Sequence, residues 1–270
     1  DFYRLVLGES MTYSCARFVD DTVPLVDAQA AKHDLICRKL GLDERSGSTL
    51  LDVGCGWGSM AIHAASAYGA RVLGVTISEQ QAMRARERVS AAGVEDLVTI
   101  ELRDYRELGG RTFDAISSIG MFEHVGRANA PTYFTTLYSL LRPEGRLLNH
   151  AITSVGGSKM SGRSFIGRYV FPDGELLDVG DSIMLMEQGG LEVRDVESLR
   201  EHYALTLRQW VGNLQQRWDE AVALVGERRA RVWVLYMAAS AVGFEDGGIG
   251  IHQVLGVRTA SDGTSGIPRT

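Results

Sequence analysis

Between Thr49 and Ser59 the chain reads TLLDVGCGWGS, an apolar run that breaks into three alternating glycines. Thr49, Leu50, Leu51 and Val53 are short, apolar and partly β-branched, the make-up of a strand buried within a parallel sheet. Gly54, Gly56 and Gly58 then permit a tight turn and let backbone approach a ligand with no Cβ in the way. Met60 to Ala65 starts a helix directly afterwards, so the turn is a strand-to-helix crevice. Open α/β sheets bind ligands there, beyond the carboxyl ends of the strands.

The glycine spacing narrows the ligand. A dinucleotide fingerprint wants GxGxxG, and its third glycine position falls here on Ser59. The run reads instead as DxGxGxG, with Asp52 ahead of the glycines. It resembles motif I of the Rossmann-like S-adenosylmethionine-dependent methyltransferases. The resemblance implies S-adenosylmethionine as cofactor, with Gly54, Gly56 and Gly58 in its turn and Asp52 near its amino-acid end.

Strand-like runs recur at βα spacing over 71–76, 98–102, 113–119 and 145–152, with helical stretches between them. One of these, Ser78 to Ala92, begins at a serine N-cap and stops at Gly93. Two late runs, Leu191 to Val196 and Ile249 to Val257, could supply the antiparallel pair that closes methyltransferase sheets. The expected architecture is therefore α/β: a Rossmann-like class I methyltransferase with a mostly parallel seven-stranded sheet, helices on both faces and a helical lid insertion. Residues 1–48 would form an N-terminal helical segment, with a helix over 27–40, and the loop through which the cofactor enters. Residues 49–258 would form the catalytic domain, with the lid over about 154–245, and 259–270 a disordered tail. Inside the insertion, 154–190 reads as irregular, and two helices separated at Gly226 follow. Their apolar stripes include Tyr203, Leu207, Trp210 and Leu214, then Val232, Leu235, Tyr236 and Val242.

Composition removes several classes of function. A net charge of −6 argues against a general nucleic-acid surface and against tight, purely electrostatic attachment to an anionic membrane. Three cysteines without CxxC spacing suggest neither a disulfide framework nor a zinc site, so no metal is expected and a reducing compartment fits. No run approaches the roughly 20 apolar residues that a membrane span requires. The chain opens at Asp1 rather than methionine, which suggests an upstream segment.

Further segments resemble one methyltransferase branch, the cyclopropane fatty acid synthases and mycolic acid cyclopropane synthases. Met11-Thr12-Tyr13-Ser14-Cys15 is similar to that family's MxYSC loop, and Gly56-Trp57-Gly58 to its GCGWG turn. Gly74-Val75-Thr76-Ile77-Ser78, followed by Gln81, is similar to its GLTLSxxQ element, with Thr76 where most methyltransferases carry a ribose-binding acid. Gly120 to Gly126 reads GMFEHVG, His150-Ala151-Ile152 matches its H-x-I, and His202-Tyr203 opens its HYxxTL. The resemblance runs from about Tyr3 to Val257. It implies cofactor contacts at Tyr13, Ser14, Thr76, Ile77, Gln81, Tyr105 and Ile119, beside motif I.

The family's reaction moves a methyl from a sulfonium onto an unactivated cis alkene, so the protein must align poor reactants in a dry pocket. A carbocation follows, which aromatic faces stabilise. Tyr13, Phe122, Tyr169 and Phe171 are candidates for that wall, the last three lining the substrate channel. The resemblance implies a bicarbonate ion as base, held at Cys15, Glu123, His150, Ile152 and Tyr203, with Cys15 and Ile152 acting through backbone. Loss of the proton from the added methyl gives a cyclopropane; a hydride shift first gives a methylene-branched chain. The expected partners are unsaturated phospholipid acyl chains at the inner face of the membrane, approached from the cytoplasm, and a second copy in a homodimer. Phe2, Tyr3, Arg4, Arg163 and Arg168 are the candidate lipid-facing residues. Rival readings are a methyltransferase for a soluble metabolite and a catalytically silent lipid-binding relative.

Overall fold

The computed structural model describes residues 1–44, 47–157, 164–171 and 174–268. Arg163, one of the candidate lipid-facing residues, lies outside them, as do Pro172 and Asp173 of the irregular stretch.

The motif I strand, β1 (Thr49–Val53), is buried along almost its whole length, which its apolar run on both faces demands. It pairs in parallel with β2 (Arg71–Thr76) on one side and β4 (Phe113–Ile119) on the other. Beyond these lie β3 (Val98–Leu102) and β5 (Leu141–Ser154), also parallel. The late runs become β6 (Glu192–Ser198) and β7 (Ile249–Val257), with β7 inserted antiparallel between β5 and β6. The seven strands are ordered β3-β2-β1-β4-β5-β7-β6. The chain reverses direction across the sheet on either side of β1, so β1 and β4 flank the crevice where such sheets bind ligands.

Helices cover both faces. On one side α2 (Leu25–Lys39), α3 (Ser59–Tyr68) and α4 (Glu79–Ala91) bury residues such as Ile36, Ala61 and Ala85 against Leu50, Val72 and Leu148. On the other, α5 (Ala130–Ser139) and α7 (Val179–Gln188) pack Tyr133, Phe134 and Met186 on Leu51, Ile116 and Leu147. Ser78 caps α4 as its sequence position suggests, its Oγ accepting the Gln81 N–H at 3.4 Å.

A third apolar cluster caps the carboxyl end of the sheet. It joins α1 (Phe2–Leu7) to α8 (Arg200–Gln216), α9 (Trp218–Val225) and α10 (Glu227–Glu245), with Trp210 fully buried at its centre. The insertion thus contributes three helices here rather than the two expected. The expected first helix breaks at Arg217, whose φ of −117° and ψ of 36° leave the helical region. The stretch read as irregular also contains α6 (Phe165–Tyr169) and α7. The described part of the expected disordered tail is docked instead. Ile267 packs on the core, and the Gly266 carbonyl accepts a hydrogen bond from Arg146 at 3.1 Å.

Candidate active site

A continuous cavity of about 840 Å³ lies at the carboxyl ends of β1, β2, β4 and β5, beneath α8 and α10. One end is built from the glycine turn. Gly54 and Cys55 donate their N–H groups to the Val75 carbonyl at 2.9 and 3.0 Å, which ties the turn to β2. Gly56 lines the cavity at φ +53°, and a Cβ built on it meets no protein atom within 4 Å, so it would point into open space. Gly58 has a different duty: at φ +80°, its Cβ would come within 3.2 Å of the Ala85 Cβ. It permits close packing of α3 on α4 and does not line the cavity, contrary to the expectation that it touches cofactor.

Asp52 is buried in β1, with Oδ1 accepting from Ser117 Oγ at 2.8 Å and Oδ2 without a partner. Burial pushes its carboxyl up to about 6, against the lowering effect of Ser117 and Lys32. Thr76 Oγ1 donates to Gln81 Oε1 at 2.7 Å and accepts from Ser78 N–H, which orients the Gln81 amide at the cavity wall. Ile77 also lines the cavity while 81% exposed, an uncovered apolar surface at its mouth. Tyr105 and Ile119 complete this end.

The loop between α1 and α2 closes over the same end. Tyr13 hydroxyl meets Tyr236 hydroxyl at 3.1 Å, and both rings line the cavity. Ser14 is fixed from below by α2: its carbonyl accepts from Gln29 Nε2 at 2.8 Å and its Oγ from Lys32 Nζ at 3.0 Å. Arg88 of α4 clasps this loop to the glycine turn, donating to the carbonyls of Trp57 at 2.6 Å and Ser10 at 2.8 Å. An orphaned acid, a glycine with open space ahead of it and an uncovered isoleucine together fit S-adenosylmethionine, which carries an ammonium, needs close backbone approach and has a flat base.

Glu123 stands at the junction between this end and the apolar end. It lies on the 3-10 turn Phe122–His124 after β4, and its Oε1 accepts the Ile152 N–H at 2.7 Å. Its Oε2 is buried without a partner, and burial pushes the carboxyl up to about 7. Tyr203 lines the cavity and lies within electrostatic reach of both Glu123 and Cys15. His150 precedes Ile152 by two residues on β5 and so shares its face. Its Nδ1 meets Gln253 Nε2 at 3.2 Å, its Nε2 has no partner, and burial holds the imidazole well below the usual histidine range. His150 and Cys15 lie behind the cavity wall rather than on it. The Cys15 thiol donates to the carbonyls of Ala16 and Leu199, and burial pushes it up, away from thiolate.

The apolar end is walled by Phe171, Leu207, Tyr236 and Phe244. Phe171, one of the expected channel aromatics, lines the cavity. Phe122 is not: its ring turns into the core against Tyr133 and Phe134, at 5.3 and 5.1 Å between centroids. Tyr169 is on the exterior of α6, 48% exposed, with Phe165 beside it and the Arg168 guanidinium 5.5 Å from its ring. Phe2 and Tyr3, read as lipid-facing, pack edge-on against Trp233, and Arg4 pairs with Glu9 at 2.9 Å.

Sequence reasoning missed Gln29, Lys32, Arg88, Ser117 and Tyr236. Lys32 left a trace, since it shares a helical face with the buried Ala28 and Ile36 at spacings of four. The others are polar or aromatic residues whose roles depend on contacts distant in sequence. Among the described residues no group of side chains could hold a metal ion, and no helix is long and apolar enough to cross a membrane.

Known proteins place the chain in a family. Residues 1–254 match the family model described as mycolic acid cyclopropane synthetase. The chain is 47% identical over 269 residues to the Mycobacterium tuberculosis protein named "Probable fatty acid methyltransferase Rv3720", covering 99% of this chain and 62% of that protein. It is 38% identical over 266 residues to cyclopropane-fatty-acyl-phospholipid synthase from Escherichia coli, covering 97% of this chain and 66% of that one. The chain therefore spans less than two thirds of the length of both relatives. Among solved structures, mycolic acid cyclopropane synthase CmaA1 complexed with SAH and CTAB superposes with a TM-score of 0.88 at 35% identity, covering 95% of this chain and 93% of that one. By its fold, its motif I turn and these matches, the chain belongs to the mycolic acid cyclopropane synthetase family of S-adenosylmethionine-dependent methyltransferases.

Proposed function

We propose that this chain transfers a one-carbon unit to the cis double bond of an unsaturated fatty acyl chain of a phospholipid, giving a cyclopropane. The observation that carries the reading is the single cavity: it joins a glycine turn to an aromatic and aliphatic wall, with one buried carboxyl at the junction. S-adenosylmethionine, when bound, supplies the electrophilic methyl. Asp52, Gly54, Gly56, Ile77 and Gln81 would hold it, with Tyr13 and Ser14 closing over it.

The alkene is a weak nucleophile, so the protein's contribution is alignment and exclusion of water. Phe171, Leu207 and Phe244 are suited to pack the acyl chain. The π faces of Tyr236 and Tyr13 offer a surface for the cation formed on the chain. Proton removal then falls to the site around Glu123. Glu123, Ile152 and Tyr203, with His150 and Cys15 behind them, would hold a bicarbonate ion, which supplies a small base. The orphaned Glu123 Oε2 and His150 Nε2 support that fit, since both have bonding capacity unspent. The lipid substrate implies work at the inner membrane face from the cytoplasm.

The test is expression in a host fed methyl-labelled methionine, followed by analysis of extracted lipid. Label in acyl chains, with cyclopropane ring protons in the NMR spectrum, is the expected result. Signals of a =CH2 group on a chain carbon would assign the methylene-branched product, reached through the same cation. Label confined to water-soluble metabolites would overturn the lipid assignment.

A further inference from the structure

Lys32 and Asp52 form an unusual pair of neighbours. Each is buried and each lines the cavity, Lys32 from α2 and Asp52 from β1. They are close enough to influence one another electrostatically. Yet among the described residues neither belongs to an ion pair. Lys32 spends one of its three ammonium donors on Ser14 Oγ, and Asp52 leaves Oδ2 with no partner. Burial of unpaired opposite charges is costly, and the cost is normally relieved by direct pairing. Here the fold keeps the two apart on one cavity wall. Such an arrangement suits a ligand that itself carries opposite charges on two groups of one carbon.

We infer that Lys32 is the counter-charge for the carboxylate of the cofactor's amino-acid end, acting through the Ser14 hydroxyl, while Asp52 faces the ammonium of that same end. The inference rests on assigning the glycine end of the cavity to S-adenosylmethionine, whose only anionic group is that carboxylate. Ser14 Oγ already accepts from Lys32 at 3.0 Å. A hydroxyl has one hydrogen to give, so with its lone pair engaged by the ammonium it is set to donate onward to an anion. Gln29, one helical turn before Lys32, holds the Ser14 carbonyl at 2.8 Å and so fixes the direction of that donation. Burial draws the lysine down to about 7, so an arriving carboxylate strengthens its charge and makes binding of the two mutually supportive. A phospholipid headgroup is the less fitting anion, because Lys32 is 0% exposed and lies behind the cofactor loop.

Calorimetric titration with two ligands tests this. S-adenosylhomocysteine carries the amino-acid end; 5′-methylthioadenosine keeps the base, sugar and sulfur without it. In Lys32→Met the affinity for S-adenosylhomocysteine should fall about tenfold or more, with methylthioadenosine unchanged to within about twofold. Lys32→Gln, which keeps a donor for Ser14 but no charge, should show the same selective loss, and serves if the methionine variant does not fold. Ser14→Ala should lose in the same direction, and adding Lys32→Met to it should cost less than Lys32→Met costs alone, as expected for residues acting in series. Equal losses for both ligands would make Lys32 a structural prop for the loop and overturn the inference, as would no loss at all. A parent protein that binds neither ligand overturns the cofactor assignment itself, and the inference with it.

Discussion

Glu123 holds the Ile152 N–H with one carboxylate oxygen, at 2.7 Å, and keeps the other buried without a partner at the junction of the two halves of the cavity. The bonded oxygen fixes the side chain, and the other is left able to accept a proton or orient an ion. Glu123→Gln is therefore expected to bind cofactor as tightly as the parent and to lose turnover. Removing one partner of a charged hydrogen-bonded site costs about 1.5–3 kcal/mol, roughly ten- to more than a hundredfold in rate when felt in the transition state. Cys15→Ser should retain most activity, because its thiol donates to the main-chain carbonyls of Ala16 and Leu199 and a hydroxyl can do the same. Steady-state kinetics beside a cofactor titration checks both. A dead Cys15→Ser with an active Glu123→Gln would point to thiol chemistry instead.

The same carboxyl gives the pH dependence a sign. Burial raises it to about 7, so activity that needs the carboxylate should rise with pH through that value. Stability should move the other way. The folded protein holds this proton more tightly than the unfolded chain, so the contribution is fully present below the ordinary glutamate range and is lost as pH rises through about 7. Relative to Glu123→Gln, the parent should lose on the order of 2–3 kcal/mol between pH 4.5 and 8. Comparing the two proteins' denaturation midpoints across that interval cancels the other titrating groups, Asp52 among them. A constant difference would show that Glu123 is ionised throughout.

How much of this could be read from the chain divides along physical lines. Motif I, the capped α4 and the βα alternation were legible because each is a local pattern, set by a run of β-branched residues, a serine or a glycine. The antiparallel pair was also visible, β6 as a run that alternates apolar and charged residues and β7 as an apolar run. What escaped depends on the partner. Phe122 and Tyr169 read as channel aromatics, but the turn after β4 points the first ring into the core and α6 leaves the second outside. Helix α7 was hidden by Gly180, Asp181 and the terminal Gly189-Gly190, although Leu185 and Met186 bury against the sheet. Lys32 drew no reading from the sequence, because its burial depends on β1 and on the loop before α2, both distant from it in the chain.

Gly56 offers a direct test of the cofactor turn. A valine there would project into the open cavity, where no protein atom lies within 4 Å of its Cβ. It would also strain a backbone at φ +53°, at a cost of about 1–2 kcal/mol for a residue with a Cβ. Gly56→Val should remain folded by circular dichroism and lose cofactor binding in calorimetry. Binding equal to the parent's would remove the glycine turn from the cofactor site.

Arg88 carries the last prediction. Its guanidinium bonds the carbonyls of Trp57 and Ser10 and the Ser59 hydroxyl, the last at 3.0 Å, while Ser59 Oγ itself donates to the Ser10 carbonyl at 2.6 Å. These bonds join the loop carrying Tyr13 and Ser14 to the glycine turn, and none of them involves the Glu123 end. Arg88→Ala should therefore loosen the lid over the cofactor without touching proton removal. The expected result is a cofactor affinity weakened about tenfold, consistent with loss of charged hydrogen bonds of about 1.5 kcal/mol net, and a kcat at saturating cofactor within about twofold of the parent. Amide exchange of residues 8–15 should quicken in the free protein, since opening of that loop no longer breaks the clasp. Arg84→Ala, one turn away on α4, is the control, because Arg84 only pairs with the exposed Glu87 at 2.7 Å. A fall in kcat with unchanged affinity in Arg88→Ala would mean that the clasp shapes the reacting end of the cavity rather than its cofactor gate.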